Sequence, residues 1–203
     1  MSYSDFTINA VKKQFAVALI EDQALFETVG PVDSPPWLKE FLVIHLPLAD
    51  AIGTEKAKSE FVVAPILSAT REVAKREISL FSGIEFNVDK TQGLVGRCDF
   101  IVSQSRSQYS LSAPVLALVE TKNDRINAGI GQCMAEMIAA EIFNHQEGNA
   151  LPIIFGCVTT GDLWRFLKLE SIAGQRTIFI DSTQYFASQV ERLLGILTHI
   201  ASV

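Results

Sequence analysis

The pattern of apolar and polar positions predicts helices at both ends of the chain and a strand-rich middle. From Asp5 to about Phe26, the residues Phe6, Val11, Phe15, Leu19 and Ile20 recur at helical spacing with Lys12, Lys13, Glu21 and Asp22 between them. That spacing predicts one amphipathic helix, broken near Asp22. Gly30-Pro31-Val32-Asp33-Ser34-Pro35-Pro36 is a breaker, after which Trp37 to about Ile52 is again helical in pattern, with Pro47 as a kink or stop. Thr54 offers an N-cap before Glu55, and a helix is expected to about Lys75, bent by Pro65. On it Glu60 shares a stripe with Ala57, Val63, Ala64 and Leu67. A carboxylate there needs a cation, a water or a metal ion, unless the position is an exposed edge.

The middle of the chain alternates differently. Ile78 to Val88 reads as a strand with Gly83 as a bulge candidate, Asp89 to Gly93 as a turn, and Leu94 to Ser103 as the returning strand. The return strand carries Asp99 among apolar neighbours, either as a site residue or as a strand-edge partner of Arg97 or Lys122. Ser103 to Ser112 is a polar surface loop in which Arg106 and Tyr109 are either solvated or available to a phosphate or a base. Val115 to Thr121 then forms an apolar run of strand length. Period-two alternation puts Val115, Ala117, Val119 and Thr121 on one face and Leu116, Leu118, Glu120 and Lys122 on the other. Both faces are apolar up to Val119, as in a covered central strand, and the charges arrive only at its C-terminal end. Open α/β sheets place their sites there. A hairpin followed by this strand brings Asp99 beside Glu120 on neighbouring strands, about 4.8 Å apart.

Beyond an N-cap at Asn123 or Asp124, Ile126, Ile130, Cys133, Met134, Met137, Ile138 and Ile142 define a buried helix face running to about Asn144. Gln132 lies on a flank with Ala128, Ala135 and Glu136, either aimed at Lys122 or hydrogen-bonded to water. Strands follow at Leu151 to Val158 and Leu163 to Leu169, an edge at Thr177 to Ile180, and a last helix from about Ser182 through Phe186, Val190, Leu193, Leu194 and Leu197. The class is therefore α/β.

Composition narrows the function. With 203 residues, 48% of them hydrophobic, the chain suits one well-buried domain. Its apolar runs fall far short of the ~18–20 residues that span a bilayer, and no basic segment precedes an apolar one at the N-terminus. A cytoplasmic location without a membrane is the expectation. Cys98, Cys133 and Cys157 are isolated in apolar sequence and read as buried thiols; His45, His145 and His199 form no metal or nucleophile spacing. The net charge of −6 counts against a general basic surface for nucleic acid. The distribution softens this: residues 1–60 carry five basic and nine acidic side chains, residues 61–130 eight and seven, and residues 131–203 four and seven. The least acidic block holds the candidate site, whose carboxylates a bound divalent cation would offset.

Glu120-Thr121-Lys122 alone is weak, since roughly one Glu-x-Lys arises by chance in a chain of this composition. Joined to Asp99 on the preceding strand, Glu60 on a preceding helix and Gln132 on the following one, it resembles the site of the PD-(D/E)XK nuclease superfamily. Two positions depart from that pattern: Cys98 stands where the name-giving proline would be, and Glu136 where one large subset carries tyrosine. The resemblance covers about residues 54–170. It implies a restriction-endonuclease-like three-layer core of helix, mixed central sheet and helix, its elements running helix, three strands, helix, strand. Residues 1–53 then form an N-terminal helical addition, and residues 171–203 a C-terminal strand and helix, within one domain.

What the resemblance implies about activity is divalent-metal-dependent hydrolysis of phosphodiester bonds in nucleic acid, with DNA favoured. The candidate catalytic residues are Glu60, Asp99, Glu120, Lys122 and Gln132. Asp99 and Glu120 are hard oxygen donors of the kind Mg²⁺ or Mn²⁺ prefers, with the Thr121 carbonyl as a third ligand. Lys122, beside two carboxylates, should stay protonated and orient the attacking water, and Gln132 would position Lys122 or a nucleotide. Superfamily members are frequently dimeric, so a homodimer is a possible assembly. Two other classes remain open: a non-catalytic relative that binds nucleic acid or a protein partner, and a Mg²⁺-dependent hydrolase of small phosphate esters.

Overall fold

The computed structural model describes residues 1–75 and 77–203. A 3₁₀ turn at Tyr3–Asp5 leads into helix α1 (Ile8–Phe15), whose N-cap Thr7 accepts the Ala10 N–H at 3.2 Å. The helix expected to reach Phe26 stops here. Ala16 adopts a left-handed conformation (φ 53°), and Ala18–Gln23 is strand β1. Leu19 and Ile20, which fit a helical stripe by spacing, instead lie opposite Ile178 and Phe179 of strand β7 (Gln175–Asp181) in a parallel ladder. Pairing with a distant strand overrides the local periodicity. The first 53 residues are therefore not a purely helical addition.

Helix α2 (Pro36–Ile52) begins on proline, which suits a first turn, and continues through Pro47. Thr54 caps the next helix as its sequence suggests, accepting the Ala57 N–H at 3.2 Å. That helix has three parts: α3 (Glu55–Lys58), a π-helical segment (Ser59–Val63) and α4 (Ala64–Val73). Pro65 accounts for the wide turn, since it has no N–H to give and its ring crowds the carbonyl four residues earlier.

Seven strands follow: β2 (Ser79–Glu85), β3 (Arg97–Ser103), β4 (Val115–Thr121), β5 (Ile153–Thr159), β6 (Leu163–Ile172), β7 and β8 (Tyr185–Phe186). With β1 they make one eight-stranded mixed sheet in the order β1-β7-β6-β5-β4-β3-β2, and β8 pairs with β6. Strands β2, β3 and β4 form an antiparallel meander. Helix α5 (Ile126–Gln146) then carries the chain across to β5, parallel to β4. β7, expected as an edge, is internal; β1 takes the edge position. The last helix, α6 (Val190–Ala201), starts later than expected because β8 and a 3₁₀ turn at Ala187–Gln189 intervene.

Helices cover both faces. On one, α1, the segment before it and α5 pack Phe6, Phe15, Ile130, Met134 and Ile138 against Val115, Leu118 and Leu167. On the other, α2, α4 and α6 pack Leu38, Ile66 and Leu194 against Phe100, Val119, Trp164 and Phe166. Helix α5 is buried on every side from Gly129 to Ala140, as expected for a helix with no polar stripe. Its approach to the N-terminal segment needs glycine: a Cβ on Gly131 would lie 2.4 Å from the Phe6 carbonyl oxygen. No helix among the described residues is long and apolar enough to cross a membrane.

Strand β4 carries one irregularity that period two cannot anticipate. Val102 lies opposite Ala117 and Ser103 opposite Val115, so Leu116 is an extra residue in the ladder. The bulge turns Val115 toward α5 with Leu118, and Leu116 toward the other layer with Ala117 and Val119, the reverse of the expected faces for those two residues. Asn144, buried on α5, meets the bulged backbone: its Oδ1 accepts the Val115 N–H at 2.7 Å and its Nδ2 donates to the Val115 carbonyl at 2.8 Å.

Candidate functional site

Beyond the bulge the β3–β4 register is regular, with Phe100 opposite Val119, and the next pair along is Asp99 and Glu120. The two carboxylates thus lie on neighbouring strands. Asp99 Oδ2 accepts the Thr121 N–H at 2.8 Å, standing in for a ladder carbonyl. Gly83, with φ 63°, faces the same point from β2 and bears no side chain that could cover Asp99. Asp99 opens into a cleft of ≈ 270 Å³ lined also by Glu55, Lys56, Ser59, Glu60 and Ser82.

Glu120 and Lys122 project side by side toward α5, as strand alternation requires. Lys122 Nζ lies 2.5 Å from Glu120 Oε1 and donates to Gln132 Oε1 at 3.1 Å. Gln132 is not a solvent-facing flank residue: its Nε2 donates in turn to Glu136 Oε1 at 3.0 Å. Four side chains therefore form a line from the strand end into the interior. Glu120 is 2% exposed and Glu136 fully buried, and the second carboxyl oxygen of each, Oε2, has no hydrogen-bond partner in the protein.

Burial dominates the electrostatics. It pushes the Glu120 carboxyl up to about 8, with the neighbouring Asp99 charge adding to the effect and Lys122 opposing it. Burial also raises Asp99, against the Thr121 N–H and Lys122. Glu136 is held well above the carboxylate range by burial first and Glu120 second. For Lys122 burial works against the ammonium, but Glu120, Glu55 and Asp99 outweigh it and hold the group above its ordinary value. The site is short of positive charge.

Glu60 does not join this line. It is exposed and pairs with Lys56 at 2.6 Å, four residues earlier on the same helix, at the rim of the Asp99 cleft. The expected stripe assumed regular α-helix, whereas the π-helical segment resets the facing of residues 59–63. Lys58, which sequence reasoning passed over, reaches from α3 to donate to the Asn123 carbonyl just beyond β4. A second hollow of ≈ 380 Å³ opens there, lined by Lys122, Asn123, Asp124, Arg125 and Ala128. The N-cap of α5 is Arg125 rather than Asn123 or Asp124. Arg106 and Tyr109 lie in the loop at the opposite ends of β3 and β4, exposed, with Arg106 3.7 Å from Glu77. The three cysteines are buried free thiols.

Glu136 is the polar residue whose part in the site the sequence concealed. The signal was present: Gln132 and Glu136 are four residues apart on a helix with no polar face, where polar side chains must find one another. Asp99 and Glu120 are the side chains able to hold a divalent cation; among the described residues no third His, Cys, Asp or Glu converges with them. No protein-family model matches the chain, and no curated protein matches it in sequence.

Proposed function

We propose that this chain is a divalent-metal-dependent nuclease of PD-(D/E)XK type, hydrolysing phosphodiester bonds in nucleic acid, with DNA favoured, on a restriction-endonuclease-like core. The observation that carries the reading is the meeting of Asp99, Glu120 and Lys122 at the end of a buried central strand, with Glu120 Oε2 unpartnered. The element order from Glu55 to Thr159, helix, three-stranded meander, crossover helix and parallel strand, supports it.

The donor set fits a hard cation. Mg²⁺ keeps several waters and needs only one or two protein carboxylates, and Glu120 Oε2 and the Asp99 carboxylate are oxygen donors held in a site short of positive charge. In this reading Asp99, Glu120 and the Thr121 carbonyl hold Mg²⁺ or Mn²⁺, which when bound supplies Lewis acidity and an acidified water. Lys122 stays an ammonium. Two of its three N–H groups are committed to Glu120 and Gln132, and the third is left to meet a phosphate oxygen or the attacking water. Gln132 fixes the direction of that third donor. Glu60, Lys56 and Ser59 form the wall along which substrate would approach Asp99.

The alternative, a non-catalytic relative that binds nucleic acid or a protein partner, draws on the internal pairing of these groups: Asp99 already serves the Thr121 backbone, and Glu120 serves Lys122. Cleavage assays decide between them. Labelled single- and double-stranded DNA and RNA are incubated with Mg²⁺ or Mn²⁺ at low salt, using wild type, Lys122→Ala and Glu120→Ala. The expected result is metal-dependent cutting that falls at least ~10²-fold in both variants. Intact substrates at high wild-type enzyme would discard the nuclease reading in favour of the binding module.

A further inference from the structure

The line Glu120, Lys122, Gln132, Glu136 does not end at a solvent-exposed group. It ends at a carboxyl group with 0% exposure, on the stretch of α5 from Gly129 to Ala140 that is buried on every side and whose remaining residues, Gln132 apart, are apolar. Its Oε1 accepts from Gln132 and its Oε2 has no partner. A half-satisfied carboxyl group is a poor way to fill a core, and an apolar side chain of the same volume would serve packing better. What the carboxyl group does that an apolar one cannot is accept a hydrogen bond from the Gln132 amide nitrogen.

That acceptance has a directional consequence. A glutamine side chain offers an oxygen at one corner and an NH₂ at the other, and rotating the amide exchanges them. With Nε2 bound to Glu136, Oε1 is the atom presented to Lys122. With the amide reversed, NH₂ would face the ammonium, donor against donor, and Lys122 would lose one of its two anchors. We infer that Glu136 is a positioning residue: it locks the orientation of the Gln132 amide and, through it, the direction in which the Lys122 ammonium points. The inference rests on the nuclease reading for its effect on rate, but not for its effect on the amide.

Two substitutions separate positioning from packing. Glu136→Gln keeps an oxygen acceptor in place of Oε1, whereas Glu136→Met keeps the volume and removes the acceptor. The direct readout is the side-chain NH₂ of Gln132 in ¹⁵N-resolved NMR of the full chain without metal, assigned by comparison with Gln132→Ala. Wild type and Glu136→Gln should show a slowly exchanging, shifted NH₂ pair. In Glu136→Met the pair should move toward free-amide positions and exchange faster, while the variant melts at or above the wild-type temperature. In cleavage assays Glu136→Met should lower kcat roughly 10- to 100-fold with little change in KM, and Glu136→Gln should retain most of the rate. An unchanged Gln132 NH₂ pair in Glu136→Met would overturn the inference, as would a wild-type kcat in that variant. If no variant cuts any substrate, the nuclease reading fails while the NMR comparison still decides the role of Glu136.

Discussion

Replacing Glu120 with glutamine should stabilise the metal-free protein, by an amount that grows with pH. Glu120 is 2% exposed, and burial together with Asp99 lifts its carboxyl from an ordinary 4.5 to about 8. A group whose folded-state value is raised holds its proton more tightly in the folded chain than in the unfolded one. Between about 4.5 and 8 the folded state therefore binds more protons, and wild-type stability falls as pH rises. Each unit is worth about 1.4 kcal/mol, so the cost is about 0.8 kcal/mol at pH 5 and about 3 kcal/mol near pH 7. Glu120→Gln removes the charge while leaving an oxygen to accept from Lys122. Urea melts of both proteins in EDTA at pH 5, 6, 7 and 8 would read this directly. The variant should lead by about 1 kcal/mol at pH 5 and by about 3 kcal/mol at pH 7, the latter equal to roughly 6–12 °C in a parallel thermal melt. A variant that melts at or below wild type at pH 8 would refute the reasoning, since it would mean that Glu120 is held charged without penalty. The same substitution should abolish cutting, a trade of activity for stability expected where a site concentrates buried charge.

Divalent cation should reverse that cost in wild type: Mn²⁺ at 100 times its Kd raises stability by about 2.7 kcal/mol, and thermal shift assays should show the gain lost in Glu120→Gln and reduced in Asp99→Asn. Gly131→Ala sets a methyl 2.4 Å from the Phe6 carbonyl and should cost about 1–3 kcal/mol in urea unfolding by lifting the N-terminal segment off α5. Asn144→Ala strips both partners from the bulged Val115 backbone and should cost about 2–4 kcal/mol, visible also as faster hydrogen exchange at the Val115 amide.

Much of the central site can be read from the sequence because a strand's alternation is strict and its charged end abrupt. Asp99, Glu120 and Lys122 follow from one hairpin and one apolar run, and both the Thr54 cap and the burial of the cysteines are local properties. What escaped depends on insertions or distant partners. One residue added to the β4 ladder at Leu116 exchanges the facing of two side chains, and a π turn ahead of Pro65 does the same to Glu60. Strand β1 is invisible because its partner lies some 160 residues on, while its own apolar residues happen to continue a helical rhythm. Glu136 was hidden because a carboxyl group on a helix flank ordinarily means solvent, and only the layer of α1 and the N-terminal turn over α5 shows that no solvent is there.

The π-helical segment has a consequence for how the cleft is built. Below it, α4 is fixed by Ile66 and Leu67 in the core; above it, α3 presents Glu55 and Lys56 to the Asp99 cleft. Winding residues 59–63 as regular α-helix, with nothing deleted, would add about one residue's worth of turn and swing α3 by roughly 100° about its axis. Lys56 and Lys58 would exchange the cleft and the Asn123 carbonyl for other neighbours, while every core contact of α4 stayed in place. The wide turn thus works as a swivel, so the lip of the cleft and the packing beneath it can be altered independently of one another.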